Sequence, residues 1–141
     1  MDVKILSAVD AAYLAGFIDG EGTITLSRKH KNENRQLAIT ISNTERQILE
    51  FCLEVIGAGK ITGKRTCKVH HTPSFTYAIY NRQALAVLEQ ITPYLRSYKV
   101  KRAKLVLENY ITLTPRNGKY TEEMMTKRKK FEKAVLETKS I

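Results

Sequence analysis

A chain of 141 residues, 43% apolar and 27% charged, is long enough to bury the core of one domain and too apolar to stay disordered throughout. Its 24 Lys and Arg against 14 Asp and Glu leave a formal charge of +10, an excess that favours a polyanionic partner, nucleic acid or an anionic membrane surface. No apolar run approaches the ~20 residues needed to cross a bilayer, and residues 1–9 lack a basic segment leading into a long apolar one, so neither a membrane span nor a secretory signal is expected.

In chain order, residues 8–19 predict a helix, with Ser7 and Asp10 in a capping spacing. Leu14, Phe17 and Ile18 make one apolar stripe; Ala12, Gly16 and Gly20, four apart and very small, make a second along which another backbone can approach closely. Residues 23–29 alternate, Ile24 and Leu26 against Thr25, Ser27 and Lys29; a polar loop follows, and residues 36–43 alternate again, with Leu37, Ile39 and Ile41 apolar. Thr44 is placed to cap a helix that Gly57 ends. The outline then repeats: a strand over 60–69, its partner over 74–80, and a helix from Asn81 that stops before Pro93. A helix over 98–113 places Val100, Ala103, Leu107 and Tyr110 for burial, and a turn at 115–118 precedes a charged helix over about 121–137. Short consecutive strands joined by tight polar loops predict an antiparallel sheet with helices on one face, an α+β fold. Residues 1–113 form the expected core domain and 114–141 a turn and charged helix appended to it.

Cys52 and Cys67 lack zinc-site spacing; Cys52 fits a small core residue, and His70-His71 beside Pro73 fits a loop or strand end. Two such cysteines suit a reducing, intracellular setting.

One segment breaks a local rule. Asp19 and Glu21 lie at the C-terminal end of the first helix, where the dipole is negative and prefers a cation, so a compensating positive charge is required. Gly20 and Gly22 flank Glu21 and free the backbone for a carbonyl and a carboxylate to point together, a hard-oxygen arrangement suited to Mg²⁺ or Ca²⁺.

The run Leu14-Ala15-Gly16-Phe17-Ile18-Asp19-Gly20-Glu21-Gly22 resembles the motif that names the LAGLIDADG homing endonucleases, with Phe for Leu, Gly for Ala and Glu for the second Asp. Ser42-Asn43-Thr44, the 56–61 segment, Pro93-Tyr94-Leu95 and Lys99-Val100-Lys101 follow in the family's order, so the resemblance covers about residues 10–113. It implies an αββαββα saddle and, with a single motif, a two-fold homodimer whose motif helices pack through Ala12, Leu14, Ala15, Gly16 and Asp19. It also implies a divalent-metal-dependent, intron-encoded endonuclease that cuts both strands of a long, roughly palindromic DNA target. Glu21 and Gly20 would be the metal ligands, and Lys99, Asn43 and Arg46 would serve beside Glu21 as catalytic groups. Mg²⁺ is the implied ion, with Mn²⁺ as a substitute and Ca²⁺ binding without supporting cleavage; no small-molecule cofactor and no membrane partner are implied. Strand parity nominates Thr25, Ser27, Lys29, Gln36, Thr40, Ser42, Thr62, Lys64, Thr66 and Thr76 to face the major groove, with Arg28, Lys31, Arg35, Lys101, Arg102 and Lys104 for phosphates. The run 127–133 reads as a solvated face. The rival reading is a non-cleaving DNA-binding regulator or RNA-splicing maturase on the same fold; retention of the motif acid Glu21 favours the nuclease.

Overall fold

A computed structural model describes residues 2–64 and 73–139. Helix α1 (Ala8–Glu21) opens at Ser7, whose hydroxyl accepts from the Asp10 amide, as the capping spacing predicts. The helix does not stop at Asp19. It runs through Gly20 and Glu21, and the chain leaves it at Gly22 in extended conformation, with no positive φ at either glycine. Backbone freedom is therefore not what these glycines supply. At Gly22 the requirement is space: a Cβ there would lie 2.9 Å from the Ile18 Cα, while Gly16 and Gly20 face open space.

Strands β1 (Gly22–Ser27), β2 (Gln36–Asn43), β3 (Lys60–Lys64) and β4 (Ser74–Tyr80) form one antiparallel sheet in the order β1-β2-β4-β3. Ile24 pairs with Ile39 and Ile39 with Ile79, Leu26 with Leu37, and Ile41 with Tyr77, so one face is continuously apolar and buried under the helices. β1 ends two residues before the alternation suggests, leaving Lys29 in the β1–β2 loop. Thr66, Cys67 and the His70-His71 pair lie outside the described residues.

Helix α2 (Arg46–Ile56) starts later than predicted. Thr44 does not cap it; Glu45 is the N-cap, without a side-chain cap bond, and the Glu45 amide donates to Asn43 Oδ1 at 2.8 Å. Gly57 ends the helix at φ +81°, where a side chain would be strained. Helix α3 (Asn81–Ile91) leads into a 3₁₀ turn, Thr92–Tyr94, and then α4 (Lys99–Asn109), which is shorter than its amphipathic pattern. Its inward row is Lys99, Arg102, Ala103, Val106 and, just past its end, Tyr110, so two cations lie where apolar residues were expected. Arg102 cannot serve as a phosphate contact, being buried with its guanidinium on the carbonyls of Ile24, Leu136 and Thr138.

Helix α5 (Glu122–Glu137) packs against α4 and β1 and adds Phe131 and Val135 to the core. Lys127, Lys129, Lys130 and Lys133 are exposed, but Arg128 is 1% exposed, so the 127–133 run is solvated on one side only.

Replacing Gly22 by Ala should force the Ile18 backbone aside and cost about 1–3 kcal/mol in equilibrium denaturation. An unchanged midpoint would show that α1 and β1 can separate without loss.

Candidate functional site

Two carboxylates leave the last turn of α1 and meet different fates. Asp19 turns onto the segment after the 3₁₀ turn, accepting the amides of Arg96 at 2.8 Å and Ser97 at 3.1 Å and the Ser97 hydroxyl. Burial pushes its pKa up; the Ser97 hydroxyl, the two amides and nearby Lys99 outweigh that and hold it below the usual carboxylate value. Glu21 is exposed and, among the described residues, has no hydrogen-bond or ion-pair partner.

The compensating cation at this helix end is Lys99. Its ammonium donates to the Ile18 carbonyl at 2.7 Å, which also accepts the Gly22 amide, and to the Asp19 carbonyl at 2.9 Å, in the last turn where the helix runs out of amide partners. Burial lowers the Lys99 pKa, the Asp19 carboxylate raises it, and Arg102 lowers it further, with a net shift downward. Two of the three ammonium donors are thus committed to main chain.

Glu21, Ser42, Asn43, Thr44 and Ser74 line an open cavity of ≈ 360 Å³ where α1, β2 and β4 converge. Among the described residues the lining offers carboxylate, amide and hydroxyl oxygens, with neither sulfur nor imidazole. Asn43 Oδ1 is taken by the Glu45 amide, which leaves the side-chain NH₂ to donate. Neither Arg46 nor Lys99 lines the cavity: Arg46 pairs with Glu50 at 2.9 Å and stacks over Phe75 at 5.2 Å. No group of three or more His, Cys, Asp or Glu able to hold a metal occurs among the described residues, so a single protomer brings one uncommitted carboxylate to this place.

The cavity opens onto the helix-free face of the sheet. Thr25, Ser27, Gln36, Thr40, Ser42, Thr62 and Thr76 all lie exposed or half-buried there, in register: Thr40 opposite Thr23, and Ser42 opposite Thr76, which is opposite Thr62. The Ser42 and Thr76 hydroxyls bond each other at 2.8 Å. Lys64 continues that strand, its backbone opposite Ser74. Residues that sequence reasoning passed over share the face: Thr23, Lys60, Ser74 and exposed Tyr80. The parity that selected Thr25 selects Thr23 equally, and extending the same alternation by one step would have found Lys60 and Ser74. Lys29, Lys31, Lys101 and Lys104 are exposed; Arg28 donates to the Lys31 carbonyl, and Arg35 lies half-buried near Glu132.

On the other side of α1 the stripe of small residues is uncovered. Ala12, Gly16 and Gly20 are exposed together with Val9, at 78%, and Tyr13, at 47%. Leu14 and Ala15 are fully buried within the protomer, so they face its own core and are not available to a partner, and Asp19 is occupied by the 96–97 segment.

Residues 14–113 match the family model described as LAGLIDADG endonuclease. The chain is 28% identical over 107 residues to the intron-encoded DNA endonuclease ai2b of Dictyostelium discoideum; the match covers 73% of this chain and spans 39% of that protein's length. Its fold is that of the homing endonuclease I-CvuI solved in complex with its target in the presence of calcium, with a TM-score of 0.75 and 21% identity over 94% of this chain and 83% of that one. An archaeal intron-encoded homing endonuclease complexed with DNA gives a TM-score of 0.72 and 18% identity over 94% of this chain and 85% of its own. The meganuclease I-AabMI bound to uncleaved DNA gives a TM-score of 0.64 and 25% identity over 86% of this chain and 43% of its own. No helix among the described residues is long and apolar enough to cross a membrane.

Asp19 carries a testable pH dependence. Its folded pKa lies below the ordinary 3.8, so its stabilisation is fully present above that value and is lost as the pH falls through the lower folded one. Asp19→Asn should be the less stable protein at neutral pH, and the gap in unfolding free energy should close in strong acid. A gap independent of pH would mean that the carboxylate charge does not matter here.

Proposed function

We propose, since the chain belongs to the LAGLIDADG endonuclease family, that it acts as a two-fold dimer that binds duplex DNA and hydrolyses both strands with the help of a divalent cation. The observation that carries this reading is the environment of Glu21. Among the described residues it is an unpaired carboxylate at the end of a helix whose outer side is apolar and uncovered, and it opens onto a polar, helix-free sheet face.

A helix apolar on all sides is ordinarily buried. The face formed by Val9, Ala12, Tyr13 and Gly16 lacks that cover within one protomer, and a second copy of the same helix would supply it. Gly16 and Gly20 set how closely the two backbones approach. Such a pairing brings a second Glu21 toward the first, supplying the acid that one protomer lacks. Two carboxylates so close repel each other unless a cation lies between them. The chain matches most of the length of I-CvuI but less than half of I-AabMI, as one repeating unit of a two-unit enzyme would.

The donor set fits a hard divalent cation such as Mg²⁺, with Glu21 and the Gly20 carbonyl as the residues that would hold it. The chemistry such an ion supplies is Lewis-acid neutralisation at the scissile phosphate and a lowered pKa for an attacking water. The chain's own groups do the rest. The Asn43 amide can donate to a phosphate oxygen, the polar sheet face reads bases in the major groove, and exposed Lys29, Lys31, Lys60, Lys101 and Lys104 neutralise phosphates. Lys99 holds the end of α1 in place, which fixes the direction in which Glu21 leaves it; its remaining donor can serve the reaction. Arg46, held over Phe75 by Glu50, is better placed to meet the DNA backbone than the scissile bond.

Glu21→Gln should reduce Mg²⁺-dependent nicking by about 10²-fold or more, the equivalent of several kcal/mol of transition-state stabilisation. Binding to duplexes selected from a random pool should persist. If the parent binds such duplexes but leaves them uncut whichever divalent ion is supplied, the non-cleaving reading prevails. In sedimentation the parent should run as two chains of 16.1 kDa. Gly16→Glu, whose Cβ meets nothing within the described residues of the protomer, should run as one folded chain whose melting temperature no longer depends on protein concentration. A dimeric Gly16→Glu protein would move the interface elsewhere.

A further inference from the structure

Helix α5 lies beyond residue 113, where the family match ends, yet it grips the loop between β1 and β2. Arg128, 1% exposed, sends one guanidinium nitrogen to the Arg35 carbonyl, another to the Leu113 carbonyl at 2.9 Å and the Thr114 hydroxyl, and its Nε to Glu132 at 3.0 Å. Glu132 in turn accepts the Arg35 amide at 3.2 Å. One turn earlier on the same helix, the Met125 sulfur accepts from the Asn34 side-chain amide at 3.6 Å. Arg128 also stacks on Tyr110 at 4.9 Å, and the Tyr110 hydroxyl accepts from the Leu37 amide and donates to Asn81. Both main-chain polar groups of Arg35 are therefore bonded to α5, and Leu37, two residues on, to the end of α4.

We infer that Arg128 and Glu132 are positioning residues that fix the C-terminal stem of the β1–β2 loop, and so determine which bases that loop reads; the inference rests on the duplex-DNA reading above. Phe131 and Val135 already give α5 its apolar hold on the core, and the buried ion pair adds little net stability to that, being the kind often replaceable by well-packed hydrophobic residues. What the pair supplies instead is direction: it bonds main chain at a fixed point and leaves the Lys29 and Lys31 side chains of the loop exposed to a partner. β1 leaves Glu21 and runs six residues to Ser27. At ~3.3 Å per residue the loop begins roughly 20 Å from the proposed cutting site, about six base pairs along the duplex. The α5 contacts should therefore govern discrimination at base pairs remote from the cut and leave the central ones alone.

The test is Glu132→Gln, which removes the charge that holds Arg128 and Arg35 without changing the size of the side chain. A milder companion is Met125→Leu, which deletes the sulfur acceptor at near-constant volume and keeps the question open should the first variant fold poorly. Amide hydrogen exchange should rise about tenfold over residues 28–36 and stay unchanged in α1. Binding to single-mismatch variants of a duplex enriched from a random pool should show mismatch penalties at the outer base pairs falling by about threefold or more, from the usual ~5–100-fold per mismatch, with central penalties and the nicking rate of bound duplex unchanged. Unchanged exchange in the loop, an unchanged mismatch profile, or an even loss over all base pairs would each overturn the inference, the last showing that α5 only stabilises the fold. If the parent retains no duplex of any sequence, the nuclease reading falls and takes the base-reading claim with it. The exchange experiment still decides, in that case, whether α5 holds the loop.

Discussion

The site depends on how the C-terminal end of α1 is neutralised. A helix terminus already presents unpartnered carbonyls and partial negative charge, and this one adds two carboxylates within three residues. The ammonium of Lys99 answers the carbonyls of Ile18 and Asp19, and the amides of Arg96 and Ser97 answer the Asp19 carboxylate. Both answers come from one short stretch, delivered by the 3₁₀ turn over Thr92–Tyr94 and anchored by buried Leu95. Once Asp19 is satisfied, Glu21 is the acid left facing outward. The outward direction of the Glu21 carboxylate is thus a consequence of a helix-capping problem solved from about eighty residues away.

The same helix has two faces with different obligations. Leu14, Ala15 and Ile18 complete the protomer's core, and the Ile18 side carries the tight approach to Gly22 that lets β1 depart against the helix. A Cβ at Gly16 or Gly20, on the opposite side, would meet nothing within 4 Å among the described residues outside the helix's own backbone. Glycine in a helix interior costs roughly 0.8–1 kcal/mol relative to alanine, so two of them in an exposed stretch are an expense the protomer alone does not recover. Close approach of a second helix is the arrangement in which their smallness contributes.

Much of this was legible in the sequence, because strand alternation and helix caps are local. The parity of β1 and β2 identifies both the buried row and the open polar face, and Ser7 marks the start of α1. What stayed hidden was set by distant groups. The extension of α1 through Glu21 follows from its docking against Lys99, which no window around residue 21 contains. The inward row of α4 differs from its apolar pattern because hydrophobic periodicity has no way to place Lys99 and Arg102 inside. The motif implies that Leu14 and Ala15 meet a partner, whereas the protomer's own core claims them. Thr44 looked like a helix cap, but the preceding Asn43 supplies the turn that starts α2 one step later.

The basic composition also needs partition. Arginine cannot shed its charge, so a buried guanidinium must find carbonyls or carboxylates for its five donors. Arg102 spends its donors on Ile24, Leu136 and Thr138, and Arg128 on Leu113, Thr114, Arg35 and Glu132. Each therefore ties together segments far apart in the chain, and between them they fasten α5 to the sheet that the motif helix begins. The planar fork that makes arginine apt for phosphate recognition also makes it apt for this internal work, and the sequence does not distinguish the two uses. A net charge of +10 thus overstates the cations that can meet a polyanion. Placement separates them: the exposed lysines of the β1–β2 loop and of the start of α4 face outward, whereas the buried arginines hold the frame that aims them.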